Sequence, residues 1–298
     1  MKLWCKLASV ILLSLTAAAQ TDTAAPIPSY NFTSFDYPGA VATVPRAINK
    51  VGTIVGYYVD ASFVEHGFVR LANGSFKAVD YPGAVGTILY DINDSNQIVG
   101  FYNATDFSFH GFLVTSPDNF TPIDYPGAQS TTAYGINNSG QTVGAWTTSL
   151  GAQGSFSLVN EAYQELVDPK AFLTYANAVN SAGAIAGSWV SVCNPVCQYH
   201  GFILPSAASS HYIDIEYPGA QMTYIYRIND LNQVVGSYLW SDNTYHGWGG
   251  VPGKHQYFTI DYPGSTISTV SGLNNRGWLA GDYADSNGVD HGFLAVPQ

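Results

Sequence analysis

Five histidines recur at one place in a repeated phrase: His66-Gly67-Phe68, His110-Gly111-Phe112, His200-Gly201-Phe202, His246-Gly247-Trp248 and His291-Gly292-Phe293. An acidic series keeps step with them. Asp36, Asp80, Asp124, Glu216 and Asp261 each open an acid-Tyr-Pro-Gly phrase, and Asp168-Pro169-Lys170-Ala171 reads as an eroded copy. Imidazole and carboxylate in matched numbers can ring a metal, bind a polar ligand, or serve as acid and base. They can equally pair with each other, and with the recurrent Thr43, Thr87, Thr131 and Thr223, to pin loops and satisfy buried polar groups. Repetition favours the pairing role, because a group present in every unit holds every unit together. One unit also breaks the ring, with Gly154-Ser155-Phe156 where His-Gly-Phe belongs.

Function is sought where the repeat fails. The units align on Asn49, Asn93, Asn137, Asn180, Asn229 and Asn274. Two positions earlier stand Ala47, Asp91, Gly135, Ala178, Arg227 and Gly272, and one before those Arg46, Tyr90, Tyr134, Asn177, Tyr226 and Ser271. Arg46, Asp91 and Arg227 are charges in otherwise small or aromatic series, and buried charges need partners. They read either as an Asp91–Arg ion pair or as a polar ligand site. Trp146, Trp189 and Trp240 stand just before or in long connections, where aromatic rings suit a carbohydrate or peptide surface. Asp282, Asp285, Asn287 and Asp290 crowd one stretch, but without the spacing of a calcium loop. No metal site and no cofactor is assigned. No Gly-x-Ser-x-Gly elbow, His-Glu-x-x-His, phosphate loop or dinucleotide fingerprint occurs.

The elements that would position these residues follow from the period. The acid-Tyr-Pro-Gly phrases lie about 44 residues apart, the length of a four-stranded propeller blade. Three residues after each aligned Asn comes Gly52, Asn96, Gly140, Gly183, Asn232 or Gly277. Only Gly and Asn fill that place, as a left-handed turn between two strands requires. A strand with an invariant Gly follows (Gly56, Gly100, Gly144, Gly187, Gly236, Gly281), then the His strand, then an outer strand. We call the four strands A to D from the inside outward.

The final unit stops at Gln298 after its third strand, and residues 31–35 offer one orphan strand before Asp36. That strand completes the last blade and removes its free edge. The sequence therefore predicts an all-β, closed, six-bladed propeller over residues 31–298. In that fold the D–A and B–C connections share one face, which gathers the His and acid series there. Strand A borders the central channel, which draws Arg46, Asp91 and Arg227 toward it.

The opening residues predict export. Lys2 and Lys6 precede an apolar run from Leu7 to Thr16 and the small residues Ala17-Ala18-Ala19, the pattern of a secretory signal peptide over 1–19. The run is too short to span a bilayer. Residues 20–30 read as a flexible segment, and the location as secreted, extracellular or periplasmic. In that oxidising setting Cys193 and Cys197 are expected to close a disulfide loop. Charge is sparse and acidic, with a net charge of −11, which excludes nucleic acid and anionic membrane surfaces as partners.

The His-Gly-Phe and Ile-Asn-x-x-Gly-x-x-x-Gly repeats resemble the HAF extracellular repeats of secreted bacterial proteins, over residues 31–298. The resemblance implies export and a propeller-like fold, and it carries no catalytic residues. The reading is a monomeric, non-catalytic binding module for an extracellular glycan or protein. Its rivals are a propeller hydrolase or lyase acting on polysaccharide and a structural matrix protein.

Overall fold

The computed structural model describes residues 28–116, 119–192 and 197–298. The expected signal segment over 1–19, most of 20–30 and Cys193 lie outside the described residues.

Each unit folds as the period requires. Blade 6 borrows its outer strand β1 (Tyr30–Phe35) from the start of the chain. Blade 1 is β2 (Ala42–Ile48), β3 (Ile54–Val59), β4 (Glu65–Arg70) and β5 (Phe76–Ala78). Blade 2 is β6 (Gly86–Ile92), β7 (Ile98–Asn103), β8 (Phe109–Ser116) and β9 (Asn119–Ile123). Blade 3 is β10 (Ser130–Ile136), β11 (Thr142–Thr147), β12 (Gln153–Val159) and β13 (Ala162–Leu166). Blade 4 is β14 (Leu173–Val179), β15 (Ile185–Val190), β16 (Tyr199–Leu204) and β17 (Ile213–Ile215). Blade 5 is β18 (Met222–Ile228), β19 (Val234–Leu239), β20 (Tyr245–Val251) and β21 (Gln256–Thr259). Blade 6 continues with β22 (Ile267–Leu273), β23 (Leu279–Ala284) and β24 (Asp290–Pro297). All pairings are antiparallel, and β1 closes the circle on β24 with Phe35 opposite Gly292 and Tyr30 opposite Pro297.

The core lies between blades. One cluster joins Ala178, Ala184 and Ala186 of blade 4 to Ile225, Ile228 and Trp248 of blade 5. The aromatic residue of each His-Gly-aromatic phrase is its centrepiece. Phe68, Phe112, Phe156, Phe202, Trp248 and Phe293 are all fully buried. The A–B hairpins turn as expected, with φ positive at Gly52, Asn96, Gly140, Gly183, Asn232 and Gly277.

On the narrow face those hairpins also lock the circle. Asn93, Asn137, Asn180, Asn229 and Asn274 each donate Nδ2 to the backbone carbonyl of the corresponding Asn in the next blade. Asn49 donates instead to Asn96 Oδ1. Each Asn is buried, so the ring both satisfies polar groups and staples neighbouring blades.

Strand A carries a second regular device. In every blade its register slips by one residue, between Pro45 and Ala47 in blade 1 and at the same place elsewhere. The unpaired residues are Arg46, Tyr90, Tyr134, Asn177, Tyr226 and Ser271. A bulge re-aims a side chain out of the pleat, and here it delivers one side chain per blade toward the channel.

Candidate functional site

The His and acid series meet on the wide face as mutual partners. Nδ1 of His66 lies 3.0 Å from Asp80, His110 2.9 Å from Asp124, His200 2.7 Å from Glu216, His246 2.8 Å from Asp261 and His291 3.0 Å from Asp36. In four of the five the other ring nitrogen is engaged too. His66 Nε2 stands 3.5 Å from Asp60 and His291 Nε2 3.8 Å from Asp285. His110 and His246 meet the hydroxyls of Ser108 and Thr244, each 2.9 Å away.

Four B–C turn carboxylates beside these rings, Asp60, Asp106, Asp242 and Asp285, are held below their ordinary values. Backbone N–H groups of Val64 and Val289 do this for Asp60 and Asp285, and the hydroxyls of Ser108 and Thr244 for Asp106 and Asp242. Aromatic rings complete the arrangement, as in the stack of Tyr37 on Tyr58 at 3.7 Å and of Tyr58 on His66 at 5.1 Å. The imidazoles are spent on holding loops. The recurrent threonines act separately: Thr43, Thr87, Thr131 and Thr223 accept the backbone N–H of Tyr37, Tyr81, Tyr125 and Tyr217.

Asp168 corrects the expected acid series. Its N–H bonds Thr174 Oγ1, the bond those tyrosines make, so it occupies the tyrosine place. It is buried, and its Oδ2 has no partner among the described residues. Exposed Val167 holds the acid place. Pro169 and Ala171 align with Pro126 and Ala128, and matching the acid instead displaced the reading by one residue.

Blade 3 has therefore lost both members of its pair, with Gly154 for His and Val167 for the acid. The indole of Trp146 takes the vacated room. A Cβ on Gly154 would stand 2.9 Å from it, and its other neighbour is Tyr125, stacked at 5.0 Å. Trp146 Nε1 is buried without a partner. Beside it opens a cleft of about 240 Å³ that runs from blade 2 to blade 4. Phe101, Phe109, Tyr134 and Tyr175 give it aromatic walls, and Ser130, Thr132, Thr147 and Gln153 give it polar ones.

The other tryptophans have structural partners. Trp189 stacks on His200 at 4.2 Å, donates Nε1 to Asp214 and lies under the Lys170 ammonium. Trp240 is partly exposed and packs against Gly219 of the adjoining Tyr-Pro-Gly turn. The structure does not bring the three tryptophans into one site. Cys197 is described but Cys193 is not, so their pairing stays an expectation.

In the channel, Asp91 and Arg227 do meet. Arg227 Nε lies 3.4 Å from Asp91 Oδ1, from opposite blades. Arg227 also donates to the carbonyls of Tyr90, Asn177 and Tyr226. Asp91 accepts the N–H groups of Ile92 and Ile136. Burial pushes the Asp91 carboxyl up from its ordinary value, against the pull of Arg227 and these two N–H groups. The pair plugs the channel. Beneath it, inside the Asn ring, only about 70 Å³ remains, room for about two waters.

Arg46 is not part of that plug. It lies on the wide-face side, half-buried, with its guanidinium 5.1 Å from the Tyr90 ring and 5.4 Å from that of Tyr57. Its neighbour across the closing seam is Asp282 of β23. Burial opposes the charge on Arg46, but Tyr90, Tyr57 and Asp282 outweigh it and hold the guanidinium above its ordinary value.

Burial likewise raises the Asp282 carboxyl to about 6, although Thr269 donates to it at 2.5 Å and Arg46 pulls it down. A raised carboxyl favours the protonated native state, so its stability contribution is full below about 3.8 and is lost as pH rises through about 6. In thermal melts, Asp282→Asn is expected to gain on wild type between pH 4 and pH 7. A gap that does not change with pH would contradict the shift.

Sequence reasoning passed over Asp282 except as a weak calcium ligand. The signal was present. The residue after the invariant Gly of strand B is Tyr57, Phe101, Ala145, Ser188, Ser237 and Asp282, with one charge in the series. Asp285 belongs to a turn, accepting the N–H groups of Asn287 and Val289, and among the described residues no cluster suits a metal ion.

Comparison with known proteins bears on the fold. No family model matches the chain, and no curated protein does. Among solved structures, a lectin of Aleuria aurantia in complex with Fucα1-6GlcNAc superposes with TM-score 0.55 at 7% identity, over 86% of this chain and 96% of that one. TolB from Acinetobacter baumannii gives 0.55 at 11%, over 83% of this chain and 64% of that one. A gluconolactonase from Xanthomonas campestris gives 0.53 at 11%, over 92% and 96%. At these identities the likeness is one of propeller architecture. Among the described residues no helix is long and apolar enough to cross a membrane.

Proposed function

We propose that this chain is an exported HAF-type repeat protein that acts as a non-catalytic binding module for an extracellular glycan. The observation that carries this reading is the blade 3 cleft. It opens at Gly154, where the histidine of a structural pair has been replaced, and its walls are aromatic rings set among hydroxyl and amide groups. Rings offer faces for the apolar side of a sugar, and hydroxyls answer its polar edges. A volume of about 240 Å³ admits a single sugar ring or chain end rather than a longer stretch. A propeller lectin among the similar folds is compatible with this reading.

The test repairs the repeat. Gly154→His with Val167→Asp, made in a Trp146→Tyr background, copies blades 1, 2, 5 and 6. Folding should be preserved or improved, and binding on a glycan array should fall to background. Undiminished binding by the repaired protein would move the site elsewhere. An array without any hit for the parent protein would overturn the glycan reading itself.

A further inference from the structure

We propose that the wide-face mouth of the channel is a second binding site, for the carboxylate of an acidic sugar, with Arg46 as its anchor. Two arginines in one channel differ in their partners. Arg227 gives its terminal nitrogens to three backbone carbonyls, and its Nε, without a hydrogen bond like that of Arg46, still stands 3.4 Å from the Asp91 carboxylate. Arg46, one bulge away from the same ring, donates no hydrogen bond to an acceptor among the described residues, and its Nε is shielded from solvent. A guanidinium has five donors in a planar fork that matches a carboxylate. Buried donors are normally paired, and an unpaired one calls for an explanation.

What surrounds Arg46 selects the rest of the ligand. Tyr57 and Tyr90 flank it, and the bulges of blades 3 and 5 send Tyr134 and Tyr226 to the same mouth. All four are half-buried. Below them the Asp91–Arg227 plug closes the channel, which limits the ligand to a terminal group. Rings around a fork of donors suit a uronate, whose carboxylate takes the fork and whose pyranose lies against the rings. Asp282 is an opposing charge beside Arg46 and tunes the site by competing for it.

This site adjoins the blade 3 cleft and shares Tyr134 with it, but its anchor Arg46 does not line that cleft, so either stands without the other. The probe is D-glucuronate, titrated into the full chain while the Arg46 Nε–H resonance is followed by NMR. D-glucose, acetate and an acetylated dipeptide are the comparison probes. Glucuronate is expected to shift that resonance at millimolar concentration, and Arg46→Met to weaken its binding by at least about tenfold. Arg46→Lys, which keeps charge and loses the fork, should weaken it nearly as much. Asp282→Asn should tighten it.

No shift with glucuronate in the native chain overturns the proposal, whatever becomes of the variants. Equal binding of glucose removes the role of the carboxylate. Equal binding of acetate or the dipeptide removes the sugar.

Discussion

Asp91→Ala is expected to destabilise the protein by about 3–5 kcal/mol, the cost of leaving one member of a buried ion pair alone. Arg227 would keep its charge in the middle of the channel with carbonyl oxygens as its only partners. The N–H groups of Ile92 and Ile136 would lose their acceptor as well. Urea unfolding monitored by tryptophan fluorescence measures the change. The control is the double variant Asp91→Leu with Arg227→Met, which removes both charges and should recover most of the loss. A single variant within about 1 kcal/mol of wild type would place this pair among weakly coupled surface pairs and refute its role as a plug.

Gly236→Ala should be at least as damaging. A Cβ there would run into the carbonyl oxygen of Tyr224 on the paired strand and crowd Ile225 behind it. The obstruction is backbone, so no rotamer change relieves it, and the blade must spread. A cost of about 3 kcal/mol or more follows, which lowers Tm by roughly 6–12 °C at this size. The same obstruction recurs at Gly56, Gly100, Gly144, Gly187 and Gly281, which is why the series is unbroken. Gly127 supplies the contrast. Its φ of 81° is left-handed, but nothing lies within 4 Å of an added Cβ, so Gly127→Ala should cost only about 1–2 kcal/mol of backbone strain. Similar Tm losses at the two sites would show that close approach is not what preserves glycine at 236.

These two expectations differ in how they were reached. The glycine series stands in the sequence because steric exclusion is strict: one small residue fits, in every copy. The Asn turns and the period are legible for the same reason. Each is a local rule repeated six times, and repetition averages away the noise that hides such rules in a single copy. The pairing of His with acid was legible too, since a recurring interval between complementary groups implies a recurring contact.

Direction and distance between blades were another matter. That Arg227 rather than Arg46 would take Asp91 depends on strand A bulges and on which blades face each other across the channel, and neither is encoded in spacing along the chain. Asp168 looked like an acid of the rim because identity was matched before register. The fold placed it by its bond to Thr174, in a buried tyrosine position.

Gly154 was visible as a missing histidine, but the cleft was not. A cleft is the room left when Trp146, Gly154 and the walls of blades 2 and 4 have all been set in place. The sequence by itself determined the repeat, the number of blades and the closing strand, because these are properties of one unit and its copies. Which departures from the repeat converge was decided only by the tertiary structure, because convergence is a property of the circle.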